Sequence, residues 1–72
     1  MPMVFTKLKS ERLRRRWSQQ TLGFYADVAA PYVSRIENGR MIPYPAHAER
    51  LAKVLGLQPD ELQHPAAEAV GA

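Results

Sequence analysis

The sequence predicts an all-α fold of five short helices, and three observations carry that expectation. Apolar residues recur at helical spacing between recognisable cap and stop residues, and no segment alternates apolar and polar side chains with the period of a strand. The chain also has 72 residues and no cysteine. That length allows one domain with a marginal core. With no disulfide framework and no thiolate metal site to brace it, such a chain is expected to survive as a compact helical packing or as an oligomer. The lack of cysteine fits a reducing compartment.

Each element has its own justification. Residues 6–16 read as a first helix: Thr6 can cap it, and Leu8 and Leu13 fall near one stripe with charges elsewhere. Ser18 offers a second N-cap, placing Gln19 to about Ala26 on a helix with Leu22 facing inward. Asp27 interrupts it in a tight turn, because Asp tolerates the left-handed conformation, and Val28 is the expected apolar plug. A third helix is expected over residues 30–38, with Pro31 in its first turn, Val33 and Ile36 inward, and Asn38-Gly39 as the stop. After a loop at residues 40–45 held by Pro43 and Pro45, a fourth helix runs through Ala48, Leu51, Ala52 and Leu55 to Gly56. Leu57 then packs, and Pro59-Asp60-Glu61-Leu62 opens a short fifth helix. Residues 1–5 are read as an N-terminal lead, 6–63 as the domain, and 64–72 as a tail that is frayed or dimer-associated. Trp17, Leu22, Val33, Ile36, Leu51 and Leu55 form the expected core.

Charge is unevenly placed. The formal net charge is +3, but residues 1–40 hold eight basic and three acidic side chains, and residues 41–72 hold two basic and four acidic. A basic half joined to an acidic half suggests one face for a polyanion. No apolar run approaches the ~20 residues of a membrane span, and Met1-Pro2-Met3-Val4-Phe5 lacks the pattern of a signal peptide. A cytoplasmic protein is expected. His47 and His64 are the only imidazoles and the carboxylates form no paired arrangement, so neither an enzyme, a metal site nor a cofactor is expected. No small-molecule ligand is evident.

Two short helices joined by a turn, the second rich in exposed polar positions, suggest a helix-turn-helix. The residues that carry this are Ser18-Gln19-Gln20-Thr21-Leu22, Val28, and Tyr32-Val33-Ser34-Arg35-Ile36-Glu37-Asn38-Gly39-Arg40. With Pro43, Leu51-Ala52-Lys53-Val54-Leu55-Gly56-Leu57 and Pro59-Asp60-Glu61-Leu62, the chain resembles the phage-repressor and Cro-type (XRE-like) helix-turn-helix domains over roughly residues 7–63. The resemblance implies a compact, lambda-repressor-like five-helix domain and a sequence-specific regulator of transcription. It also implies a homodimer on double-stranded operator DNA, with the helix at about 30–38 in the major groove.

Carried over residue by residue, the resemblance implies that Gln19 hydrogen-bonds a phosphate and braces the recognition helix, where a helix N-terminus already favours an anion. The alternative is a solvated amide. Asn38 and Arg40 match phosphate contacts, although Asn38-Gly39 also serves as a plain C-cap. The base-reading positions fall on Ala29, Ala30, Pro31, Ser34 and Arg35. Arg35 alone is an obvious reader, by a bidentate contact to guanine, while Ser34 can pair with several bases. Ala29, Ala30 and Pro31 depart from the polar residues common there; they can meet thymine methyls, or leave selectivity to DNA shape. Tyr32 leans either toward phosphate or onto the second helix.

Arg12 and Glu37 match a pair that joins the first and third helices in relatives; the alternative is two independent exposed charges. Arg16 stands where the family commonly has glycine and is the member of Arg14-Arg15-Arg16 best placed for a phosphate, the other two being solvated. Gly23 stands where alanine is usual, making room for Phe24-Tyr25 or for close helix approach. The dimer interface is expected at Leu57, Leu62 and Tyr44 and along the tail to Val70, unless Leu62 closes the monomer core. The competing reading is a protein-interaction module, antitoxin- or adaptor-like, that keeps the fold with weak DNA readout. A basic amphipathic helix on a membrane is disfavoured by the narrow apolar face from Lys7 to Trp17.

Overall fold

The structure is a computed structural model that describes residues 5–66. The N-terminal lead up to residue 4, and the tail from residue 67 including Val70, lie outside the described residues. Four α-helices follow one another, α1 (Lys7–Arg14), α2 (Gln19–Ala26), α3 (Ala30–Glu37) and α4 (Pro45–Leu55), and a single 3-10 turn spans Pro59–Glu61. The class is all-α, as the apolar spacing requires. The fifth helix is one 3-10 turn: Pro59 starts it, Gln58 and Glu61 cap it reciprocally, and Leu62 turns inward.

The caps read from the sequence form. Thr6 Oγ1 accepts from the Lys9 N–H at 3.2 Å, and Ser18 Oγ accepts from the Thr21 N–H at 3.0 Å. Asp27 closes α2 in the left-handed region at φ 56°. α1 stops at Arg14, two residues short of expectation, because Arg16 also turns left-handed at φ 59°. The Trp17 N–H then bonds back to the Arg12 carbonyl, and the Arg16 N–H to that of Leu13. α3 ends in the same way, with Gly39 at φ 71° and the Arg40 and Gly39 N–H groups on the Arg35 and Ile36 carbonyls. Both ends are Schellman closures. α4 starts earlier than expected, with Pro45 at its first position, where the missing N–H costs nothing.

The core gathers Leu8, Leu22, Val28, Val33, Ile36, Leu51, Leu55 and Leu62. Two expectations change here. Leu13 is 43% exposed, because α1 presents only Leu8 and Arg12 to the interior. Trp17 is half-buried: its ring packs at the edge of the core, 4.8 Å from the ring of Tyr25. Gly23 is explained by close approach rather than by room for Phe24 and Tyr25. A Cβ there would lie 2.3 Å from the Val28 carbonyl oxygen, so the α2–α3 turn folds back on bare backbone.

Residues 64–66 do not fray. The Lys7 N–H donates to the His64 carbonyl (2.8 Å), the Ala66 N–H to that of Phe5 (2.9 Å), and Ala66 is buried. The two ends of the domain are thereby tied side by side. Among the described residues no helix is long and apolar enough to cross a membrane, and no cluster of His, Asp and Glu is arranged to hold a metal ion.

Candidate nucleic-acid interface

α3 is amphipathic, and its two faces have different chemistry. Val33, Ile36 and Glu37 are buried, whereas Pro31 and Arg35, one turn apart, are exposed together with Ala29 before the helix and Asn38 to Arg40 after it. Ala30, Tyr32 and Ser34 lie between, half-buried.

The inner face is held by a charged network. Arg12 donates from Nε to Glu37 Oε2 at 2.7 Å and from Nη2 to Glu37 Oε1 at 3.0 Å, a two-pronged pair between α1 and α3. Its remaining Nη1 donates to the Trp17 carbonyl at 2.7 Å, fixing the α1–α2 turn to the same guanidinium. The residues are 8% and 3% exposed, so this is an internal ion pair and not two surface charges. Gln19 Nε2 donates to Glu37 Oε1 at 2.9 Å, which ties the first residue of α2 to the last residue of α3. One carboxylate thus fixes the relative positions of three helices.

Residues distant in sequence complete the positioning. Gln63 donates to the Ile36 carbonyl at 3.1 Å and to the Met41 carbonyl at 2.7 Å, and the Thr6 hydroxyl donates to the Glu37 carbonyl at 3.2 Å. The last carbonyls of α3, which lack partners within the helix, are satisfied this way. Arg50 on α4 does the same for α2, donating to the carbonyls of Ala26 (3.1 Å) and Asp27 (3.3 Å). Gln63 and Arg50 were missed from the sequence: their partners lie 22 to 27 residues away, and no local pattern signals such bonds.

The outer face is different. Among the described residues, the side chains of Arg16, Arg35 and Arg40 have no hydrogen-bond or ion-pair partner, and all three are exposed. Most of the other basic groups are occupied. Lys7 pairs with Glu61 at 3.0 Å, while Arg14 and Arg15 converge on Glu11 at 2.7 and 2.6 Å. Arg15 also reaches the Leu55 carbonyl at 3.2 Å, so it is not the solvated charge expected from sequence, whereas Arg14 stays exposed to solvent beside Glu11. These contacts shift the carboxylates. Glu11 is held below its ordinary range by its hydrogen bonds from Arg14 and then Arg15, and Glu61 by the Gln58 N–H and then Lys7.

Gln19 lies at the margin between the faces. Ser18 occupies the Thr21 N–H and its carbonyl the Leu22 N–H, so the N–H groups of Gln19 and Gln20 remain open at the start of α2. Asn38 turns its amide back to the Ser34 carbonyl at 2.9 Å, the capping use anticipated for it, while staying exposed. Tyr32 packs on α4 instead of α2: its ring lies 5.3 Å from His47 and 6.3 Å from Tyr44. Of the residues expected at a dimer interface, Tyr44 is exposed and Leu57 half-buried. Leu62 is 1% exposed and closes the monomer core, so it presents nothing to a partner.

Comparison with known proteins agrees with this geometry. A family model described as helix-turn-helix matches residues 8–62. The crystal structure of the restriction-modification controller protein C.AhdI from Aeromonas hydrophila is similar at 30% identity and a TM-score of 0.68, over 78% of this chain and 85% of that one. The hypothetical transcription factor NHTF from Neisseria shares the fold at 21% identity and a TM-score of 0.73, over 99% of this chain and 91% of that one. No curated protein matches. With the matched segment spanning both helices of the motif, their turn and α4, the chain belongs to the phage-repressor and Cro-type helix-turn-helix family, a family of DNA-binding transcriptional regulators and not of enzymes.

Proposed function

We propose that the chain is a sequence-specific regulator that binds double-stranded operator DNA as a homodimer, in the cytoplasm and without a cofactor, with α3 in the major groove. The observation that carries this reading is the division of the basic residues. Lys7, Arg12, Arg14 and Arg15 are paired with carboxylates within the fold and Arg50 is held by helix-end carbonyls, whereas among the described residues Arg16, Arg35 and Arg40 stand unpaired around α3 and the start of α2. Arg35 reads guanine through O6 and N7, with Ser34 beside it. Gln19 and the open N–H groups at the start of α2 hold one phosphate, and Arg16, Asn38, Arg40 and the Tyr32 hydroxyl hold others. These contacts fix register, and Arg35 supplies sequence information.

One recognition helix covers too little DNA for high specificity, so two copies reading half-sites about one helical turn apart are expected. Tyr44 and Leu57 are the candidates for their contact. The likeness to a restriction-modification controller supports a role at a promoter. Enrichment of random duplexes by the purified chain tests the proposal. The expected result is a palindromic consensus, bound with an affinity that falls steeply as salt rises. If no duplex is bound at low salt with protein in the high micromolar range, the reading is overturned in favour of a protein-interaction module. A strict monomer in sedimentation, with and without DNA, overturns the symmetry.

A further inference from the structure

Arg50 and Lys53 are the only lysine or arginine residues beyond position 40, and both come to a groove that no residue of α3 lines. The end of α2 and the outer face of α4 enclose this open groove of about 490 Å³, with Tyr25, Ala26 and Asp27 on one wall and Arg50, Lys53 and Val54 on the other. Its floor is apolar. Val54 is half-buried, and Tyr25, 55% exposed, stands against Trp17 with 4.8 Å between ring centres. Phe24 meets the same Tyr25 ring edge-on at 5.6 Å and is 81% exposed. Single exposed apolar residues are ordinary on a protein surface, but a contiguous aromatic cluster beside a groove marks a place of contact.

The rim of the groove is cationic. Arg50 donates from Nε to the Ala26 carbonyl at 3.1 Å and from Nη2 to the Asp27 carbonyl at 3.3 Å, so its guanidinium is held in place before any partner arrives. Lys53, on the next turn of α4, is exposed and has no hydrogen-bond or ion-pair partner among the described residues. Asp27 is the acidic member of the lining, and Glu49 lies outside it. We infer that this groove is a docking surface for an acidic segment of another protein, which lays an apolar side chain on Tyr25 and Val54 and presents Asp or Glu carboxylates to Arg50 and Lys53. Charge complementarity names the partner: two cations against one carboxylate favour an anionic chain and penalise a basic one. The apolar floor between them suits a side chain better than a run of phosphates. The inference goes beyond the DNA reading and does not depend on it. The groove shares no residue with the outer face of α3, so both can be occupied at once.

The test selects binders of the full chain from a displayed library of random peptides. The expected consensus is an aromatic or aliphatic residue flanked by Asp or Glu. Added to the isotope-labelled chain, the selected peptide should shift backbone amides centred on Tyr25, Asp27, Lys53 and Val54. Its counterpart with every Asp and Glu changed to Asn and Gln should bind about tenfold more weakly, on the scale of two partly exposed ion pairs. Lys53→Glu should weaken the acidic peptide by about the same factor. Because Lys53 is exposed and unpaired, that variant should unfold in urea close to the parent. Its affinity for a duplex enriched from random sequence should be unchanged. Equal weakening of duplex and peptide by Lys53→Glu would assign the groove to DNA and overturn the inference. Arg35→Ala should leave the peptide bound as before; a loss there shows a peptide imitating DNA on α3, which also overturns it. A consensus without acidic residues, shifts centred elsewhere, or no enriched peptide at all overturns it too. Absence of an enriched duplex overturns the DNA reading alone, since the peptide measurements need no DNA.

Discussion

Arg12 and Arg35 are the same residue type on neighbouring helices, and they meet opposite faces of α3. Arg12 is buried with all three of its donor positions used, on Glu37 and on the Trp17 carbonyl. Arg35 is exposed and has no partner among the described residues. The contrast shows how a small domain with little core arranges its charge. Cations that hold helices together, Arg12 on Glu37 and Arg50 on the Ala26 and Asp27 carbonyls, have their donors used inside the fold, whereas Arg35 keeps its donors free on the outer face. A buried pair costs desolvation and is retained for the geometry it enforces. Here that geometry is the angle at which α3 leaves the body of the domain.

The largest effect is therefore expected on the inner face. Glu37→Ala leaves the Arg12 guanidinium buried without a carboxylate and removes the acceptor of Gln19, which should cost about 3–5 kcal/mol in urea unfolding. That is comparable with the whole stability of a domain this small. The double change Arg12→Met with Glu37→Leu should recover most of that loss, because apolar replacement of a buried pair is often neutral or better. DNA affinity should not recover with it, since Gln19 has lost its brace. Full recovery of binding in the double variant would show that the network serves stability alone.

On the outer face the prediction reverses. Arg35→Ala should leave urea unfolding within about 0.5 kcal/mol of the parent, as an exposed residue without partners does. Discrimination at one base pair of the enriched duplex should fall by about 1–3 kcal/mol, measured by competition against duplexes altered at each position. Equal weakening on every sequence would make Arg35 a phosphate contact and break the comparison.

How much of this division was legible follows from the range of each interaction. Ser18, Thr6, Asn38-Gly39 and Gly56 act within one helical turn, and the helices they delimit were readable to within two residues at most ends. The Arg12–Glu37 pair spans 25 residues and was reachable only through family resemblance. Gln63 and Arg50, which satisfy helix-end carbonyls at comparable separations, had no such guide. Leu13 reads near the same stripe as Leu8. On an eight-residue helix, however, one apolar side chain and the stem of Arg12 already fill the inward stripe. Leu62 was legible in both of its uses, interface or core, and the single 3-10 turn that follows Gln58 settles it in the core.

The two Schellman closures sharpen the contrast further. Gly39 and Arg16 occupy equivalent positions at the ends of α3 and α1, with φ of 71° and 59°. Glycine takes this conformation without penalty, while a side chain there costs about 1–2 kcal/mol. Arg16→Gly is thus expected to raise stability by about 1 kcal/mol, with part of the strain relief offset by the greater freedom of the unfolded chain. On DNA the sign should be opposite, with weaker binding and a salt dependence shallower by about one unit of slope if Arg16 neutralises a phosphate. A variant that is more stable and binds as tightly as the parent would remove Arg16 from the interface.

The smallest effect separates the two classes of charge by pH. Glu11 and Glu61, the carboxylates that occupy Arg14, Arg15 and Lys7, are held below their ordinary value of 4.5, Glu11 by its arginine hydrogen bonds and Glu61 first by the Gln58 N–H. A depressed folded-state value means that the unfolded chain binds more protons in the window beneath 4.5. The stability from these contacts is therefore fully present above that value and is lost as pH falls through the lowered one. Glu11→Gln should lower stability slightly at neutral pH and give a shallower acid limb, converging on the parent in strong acid; unfolding midpoints from pH 7 to pH 3 would show it. Arg35→Ala, with no carboxylate to release, should run parallel to the parent across the whole range. If instead its acid limb flattens as that of Glu11→Gln does, Arg35 is pairing within the fold, and the outer face is not free for DNA.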